Sequence, residues 1–168
     1  MLFTRKFAMP SAWTFTMKPI KELLDKYVID PANWVDPFAG DNSPCGFTND
    51  INPNRKAKFH MDSFDFCKMV EGPFDGILFD PPYSNRQISE HYKEAGRKVT
   101  GLDTGANFYS RVIKEITPKI KIGGLAISFG WNSNGFAMKR GWEKIELLLV
   151  AHGSYHNDTI CLVERKIK

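Results

Sequence analysis

The chain has 168 residues, with 23 Lys and Arg against 19 Asp and Glu, for a formal net charge of +4. Hydrophobic residues make up 42% and charged residues 25%, a globular composition that excludes a disordered or fibrous chain. No apolar run approaches the ~18–20 residues that cross a bilayer, and residues 1–13 lack the apolar stretch of a secretory signal. Cys45, Cys67 and Cys161 are odd in number, widely spaced and form no C-x-x-C pair, so neither a disulfide framework nor a zinc site is indicated. One domain over residues 1–168, soluble in a reducing cytoplasm and without a membrane partner, is the expectation. The scattered positive excess permits a nucleic-acid partner without demanding one.

In chain order, residues 18–29 place Ile20, Leu23, Leu24, Tyr27 and Val28 at helical spacing, with Pro19 in the first turn and Pro31 as the stop. Trp34-Val35 reads as a short buried strand that runs into Asp36-Pro37-Phe38-Ala39-Gly40. Residues 46–51 and 58–62 are predicted as the next two strands, followed by a helix over 64–70. Gly76-Ile77-Leu78-Phe79 is the clearest buried strand and stops at Asp80-Pro81-Pro82-Tyr83. Residues 84–106 are polar and glycine-bearing, a loop with some helix around 87–95. Residues 107–121 are helical in pattern, with Pro118 as a kink or an early end. Strands follow at 125–129, 145–150 and 159–164, the last two joined as a hairpin through 152–158. Strands alternating with helices predict an α/β, mostly parallel, doubly wound sheet, with the hairpin adding an antiparallel strand at one edge.

Two clusters carry chemistry, and both stand at carboxyl ends of predicted strands, where open α/β sheets bind ligands. In Asp80-Pro81-Pro82-Tyr83 the prolines stiffen the backbone directly after a strand, fixing the Asp80 carboxylate and the Pro81 carbonyl side by side. Two rigid acceptors suit an exocyclic amino group with two N–H donors, and the Tyr83 ring can stack on a base. The bland alternative is an Asp-Pro-Pro turn with Tyr83 packed on the core.

Asp80-Pro81-Pro82-Tyr83 resembles the catalytic motif of the S-adenosylmethionine-dependent amino-methyltransferases of DNA, in the version typical of the adenine-N6 enzymes. Asp36-Pro37-Phe38-Ala39-Gly40 is similar to the family's cofactor loop, and Thr16-Met17-Lys18-Pro19-Ile20-Lys21-Glu22-Leu23-Leu24 to its segment beside the cofactor's methionine moiety. The resemblance implies a Rossmann-like class I methyltransferase fold with a seven-stranded sheet, S-adenosylmethionine as cosubstrate and no metal. It implies methyl transfer to the N6 amino group of adenine in DNA, with Tyr83 stacking on the flipped base. Thr16, Lys18, Asp36, Pro37, Phe38, Ala39 and Gly40 become cofactor residues. Asp50 is placed to accept hydrogen bonds from a ribose diol, or else opens a turn. Asp62-Ser63 either contacts the cofactor's adenine or caps the following helix.

Asp41-Asn42 stands where the family usually has Ser/Thr-Gly, and no separate target-recognition region is present in the chain. Residues 84–106 and the segment after Trp131 are the candidates for target contacts, unless a homodimer or partner supplies them. Phe129-Gly130-Trp131-Asn132-Ser133-Asn134 follows the fifth strand and lines the cleft, with core packing the alternative for Phe129 and Trp131. Lys139, Arg140 and Lys144 form a solvated face or meet phosphates. His152, His156 and Asp158 have a metal-like spacing, which the hairpin context opposes. The residues do not separate DNA from RNA. Cytosine N4 and a non-catalytic subunit acting with a partner are the remaining readings.

Overall fold

The computed structural model describes residues 1–82, 85–94, 96, 108–153 and 155–168, with side chains at all of these except 85–87 and 91. The first long amphipathic segment forms helix α1 (Lys18–Tyr27), with Pro19 in its opening turn and a Lys21–Asp25 pair at 2.8 Å on its outer face. It ends before the predicted limit, when Val28 N–H bonds to the Leu24 carbonyl, and Pro31 then opens a 3₁₀ turn capped by the Asp30 carboxylate. Ile20, Leu23 and Leu24 are buried against the sheet, each side chain contributing about 1.5–3 kcal/mol of transfer free energy.

Seven strands form one sheet: β1 (Leu2–Phe7), β2 (Trp34–Asp36), β3 (Phe47–Thr48), β4 (Phe74–Phe79), β5 (Ile120–Gly130), β6 (Trp142–Ala151) and β7 (Thr159–Lys166). Their spatial order is β1-β6-β7-β5-β4-β2-β3, and every neighbouring pair is parallel except the two that involve β7. This is the expected α/β, mostly parallel, Rossmann-like architecture. Helix α1 covers one face, with Phe15, Leu78, Ile127 and Val163 beneath it. Helices α2 (Ser63–Met69) and α4 (Phe108–Ile116) cover the other, over Ile77, Phe74 and Trp142. Helix α3 (Asn85–Glu94) follows β4. No helix among the described residues is long and apolar enough to cross a membrane.

Three details differ from expectation. The antiparallel strand is not at an edge: β7 lies between β5 and β6, because Cys161, Leu162, Val163 and Glu164 are buried on both of its faces. The strand predicted at 58–62 is reduced to a single parallel bridge between Asn49 and Phe59. Its place in the seven is taken by β1, whose side chains are almost all exposed, so that it lacks the apolar alternation that marks a half-buried strand.

Two parallel connections are short. Residues 37–46 join β2 to β3 without a helix, and the loop packs directly on the 31–33 turn. Gly46 makes that approach possible: a Cβ there would stand 1.9 Å from the Ala32 carbonyl oxygen. Residues 131–141 join β5 to β6 through a loop and one 3₁₀ turn.

Candidate active site

The carboxyl ends of β2, β3, β4 and β5 bring the predicted clusters together around Pro81-Pro82, where three cavities meet. The first, about 70 Å³, is lined by Phe38, Asp50, Asp62, Ser63, Tyr92 and Pro82 among others. The second, about 200 Å³, is lined by Trp13, Ala39, Gly40, Asp50, Arg55 and Asp80, again with Pro82. The third, about 400 Å³, lies beyond Pro81-Pro82, between Phe79, Tyr109, Ser128, Trp131 and Arg140. Phe38, Asp50 and Pro82 belong to both of the first two, which together form one elongated cleft.

The loop after β2 is shaped by Asp36. Its carboxylate is fully buried and accepts bonds from Phe38 N–H at 2.9 Å and the Ser43 hydroxyl at 2.6 Å. Burial drives its pKa up to about 7 against these two donors. Asp36 therefore holds the loop from within, while Pro37, Phe38, Ala39 and Gly40 face the cleft. Gly40 has φ +54°, with nothing near the position of a Cβ, so the backbone can approach a ligand closely. Asp50 accepts Gly40 N–H at 3.0 Å with one oxygen and Asn52 N–H at 2.8 Å with the other. Each oxygen keeps lone-pair capacity for a hydroxyl at the junction of the two cavities.

Asp62 caps α2 through Phe64 N–H at 2.8 Å, and its second oxygen accepts the Tyr92 hydroxyl of α3 at 2.8 Å. The capping alternative is thus realised, with the carboxylate still at the cavity wall. Thr16 turns its hydroxyl to the Trp13 carbonyl at 2.8 Å, and Lys18 is exposed at the start of α1; neither lines the cleft. Tyr83 lies outside the described residues, as do 84, 95 and 97–106 of the segment expected to contact the target.

The departure at Asp41 has a structural use. One oxygen accepts Lys56 N–H at 2.8 Å and the other meets the Arg55 guanidinium at 3.3 Å, fastening the 52–56 turn to the loop after β2. The Lys56 N–H above all holds the Asp41 carboxyl below its usual range. Arg55 stacks 5.4 Å from the Trp13 ring centre, at the wall of the second cavity.

Several residues of the site were not singled out from sequence. Asn49, wholly buried, joins the Pro37 carbonyl, the Met61 carbonyl and Met61 N–H, tying three segments of the cleft floor. Tyr109 donates to the Pro82 carbonyl. Among the described residues, Ser128 Oγ is the one buried side-chain polar atom without a hydrogen-bond partner, and Ser128 lines the third cavity. A search for polar residues at strand ends would have reached Asn49 and Ser128; Tyr109 gives no local signal.

Other chemistry finds less support. Cys45, Cys67 and Cys161 are free and buried, and burial pushes all three thiols up, away from the reactive thiolate. His152 bridges the Ala8 carbonyl at 2.8 Å and the Thr159 hydroxyl at 2.9 Å, pinning the β6–β7 turn to the end of β1. Among the described residues no three His, Cys, Asp or Glu side chains gather as a metal site.

No protein-family model matches the chain, and no curated protein matches it. Solved structures do. TrmN from Thermus thermophilus superposes with a TM-score of 0.59 at 14% identity, over 90% of this chain and 49% of its own, so the chain spans about half the length of TrmN. A protein from Escherichia coli named as a methyltransferase, YhhF, gives 0.57 at 12% identity, over 98% of this chain and 93% of its own. An rRNA methylase from Streptococcus thermophilus gives 0.53 at 11% identity, over 96% and 100%. The fold is that of the Rossmann-like class I methyltransferases.

Proposed function

We propose that the chain is an S-adenosylmethionine-dependent methyltransferase that acts on the exocyclic amino group of a nucleic-acid base, with adenine N6 in DNA as the first reading. One observation carries it: Pro81-Pro82 stands between an elongated cleft of two parts and a separate cavity, with Asp80 directly before them on the wall of the cleft's second part. The residues of the cleft fit the cosubstrate's chemistry. Asp50 at the junction suits a ribose diol, Asp62 and the apolar walls of the first cavity suit the adenine, and Arg55 with Gly40 suits the amino-acid end. When bound, the cosubstrate supplies an electrophilic sulfonium methyl.

Asp80 and the Pro81 carbonyl accept the two N–H bonds of the acceptor amine and aim its lone pair across the prolines. As the N–C bond forms and the S–C bond breaks, the amine proton passes to the Asp80 carboxylate and on to water. Positioning and preorganised charge supply the rate. In duplex DNA the base would be flipped out into the third cavity, with Tyr83 against its face. The same chemistry serves adenine in RNA, and the full-length match to a protein named as an rRNA methylase makes RNA the second reading.

Calorimetric titration with S-adenosylmethionine, alongside turnover of the wild type and Asp80→Ala, tests the reading. The variant is expected to keep much of the wild type's cosubstrate affinity, with turnover lower by about 10²–10³ or more. Absence of binding by the wild type would leave only the fold, in a non-catalytic subunit.

A further inference from the structure

We propose that the outer face of β1, continued over β6 to Ile160 at the start of β7, is a platform for an unpaired nucleic-acid strand, which delivers its acceptor base to the third cavity; this rests on the reading of that cavity as the acceptor site. The strand register sets Phe3, Arg5 and Phe7 on the same face as Leu147, Leu149 and Ala151 of β6, and Ile160 of β7 continues it, while Leu162 of β7 is buried there. Helices α2 and α4 cover this face over β4 and β5. Gly135 of the 131–137 loop lies against Leu162 and Glu164. With no helix between β5 and β6, the outer end of the face stays open: Phe3 is 60% exposed and Phe7 65%, while Leu147, Leu149 and Ile160 are half-buried and Ala151 is buried.

The face is continuous with the third cavity. Trp131 lines that cavity and also a groove of about 460 Å³ bounded by Leu149, Gly153 and Ile160. The Phe7 ring stands 3.4 Å from the position of a Cβ on Gly153, at the groove's far side. An aromatic route thus runs from the acceptor cavity over Trp131 to Phe7 and Phe3, with Arg5 between the phenylalanines and Arg140 at the cavity.

Exposed rings interleaved with cations bind unpaired bases and their phosphates; a duplex keeps its base faces stacked on one another. The charge opposes a second copy of the chain as the occupant. Strand β1 carries Arg5 and Lys6 and no acidic residue, so edge pairing of two copies would bring like charges together, whereas a polyanion neutralises them. Asp158 faces the same groove and is engaged by His152 N–H at 3.0 Å.

Fluorescence anisotropy of the full chain with labelled single strands of about 12 nucleotides, in DNA and RNA form, and with the matching duplex tests this. The wild type is expected to prefer the single strand over the duplex, and the comparison of DNA with RNA strands identifies which is favoured. Phe3→Ala/Phe7→Ala is expected to weaken strand binding by about tenfold or more and to leave the S-adenosylmethionine-induced thermal shift unchanged. Arg5→Glu, an exposed replacement that keeps the aromatic rings, is expected to act in the same direction. Equal strand binding by the wild type and both variants, or tighter binding of duplex, would overturn the platform. So would a wild-type dimer in sedimentation that becomes monomeric in the double variant with strand binding unchanged. Loss of the cosubstrate shift in the wild type would instead count against the enzymatic reading, because strand binding is read without cosubstrate.

Discussion

Tyr109 Oη donates a 2.6 Å hydrogen bond to the carbonyl oxygen of Pro82, joining the first turn of α4 to the turn after β4. The ring is set by edge-to-face contacts with Phe38 and Phe79, at 6.1 and 6.2 Å between centres. Burial raises the phenol's pKa well above its ordinary value, so the group remains a donor at any working pH. Tyr109→Phe keeps the ring and deletes the bond. Stability is expected to fall by about 1 kcal/mol. Turnover is expected to fall by roughly ten- to a hundredfold through misplacement of the prolines, with cosubstrate affinity little changed. Wild-type turnover in this variant would remove Tyr109 from the positioning of the site.

The wall of the third cavity depends on a buried carboxylate. Glu164 of β7 is fully buried and accepts Phe136 N–H at 2.6 Å and Ala137 N–H at 3.1 Å, the latter from a residue with φ 77°. These bonds hold the left-handed turn and thereby the 131–137 loop. Glu164→Gln can satisfy one N–H but turns a donor toward the other, at a cost of about 1–3 kcal/mol. Denaturation should show this loss, and KM for the nucleic acid should rise while cosubstrate affinity holds. An unchanged KM would separate the loop from the acceptor.

Asp36 makes stability depend on pH in a defined direction. Its folded pKa of about 7 lies above the ordinary 3.8, chiefly through burial. Between these values the folded chain holds a proton that the unfolded chain has released, so the group's contribution is complete below about pH 4 and is lost as pH rises through about 7. Its full size is on the order of 4 kcal/mol. Asp36→Asn can keep a bond to Phe38 N–H and lacks the titration. The stability of the wild type relative to the variant is therefore expected to fall between pH 5 and pH 8, as read by chemical denaturation. Parallel profiles for the two proteins would contradict the buried, proton-holding Asp36.

The parts legible in the sequence are those whose signal is local. Gly76-Ile77-Leu78-Phe79 reads as a buried strand from its own apolar run, and the prolines after Asp80 end it wherever the rest of the chain goes. Helix α1 declares itself by the spacing of Ile20, Leu23 and Leu24. Strand β1 does not, because its partner β6 lies more than a hundred residues away and its own faces stay exposed. Residues 58–62 look like a strand by their alternation, yet Asp62 is taken by the α2 cap and the segment keeps only the bridge at Phe59. Asp36 shows the limit at the site: its position after β2 is readable, but the inward turn of its carboxylate depends on Ser43 across the loop. Tyr109, Glu164 and Arg55 act on partners distant in sequence, and no spacing rule connects them.

The reaction proposed for this chain is methyl transfer to an adenine amino group at Asp80-Pro81-Pro82. Its most direct test is incubation of the purified chain with labelled S-adenosylmethionine and unmethylated DNA or RNA, followed by nucleoside mass spectrometry. N6-methyladenine is expected with the wild type, and lower by about a hundredfold or more with Asp80→Ala. Label on no base of either nucleic acid, from a protein that binds the cosubstrate, would contradict it.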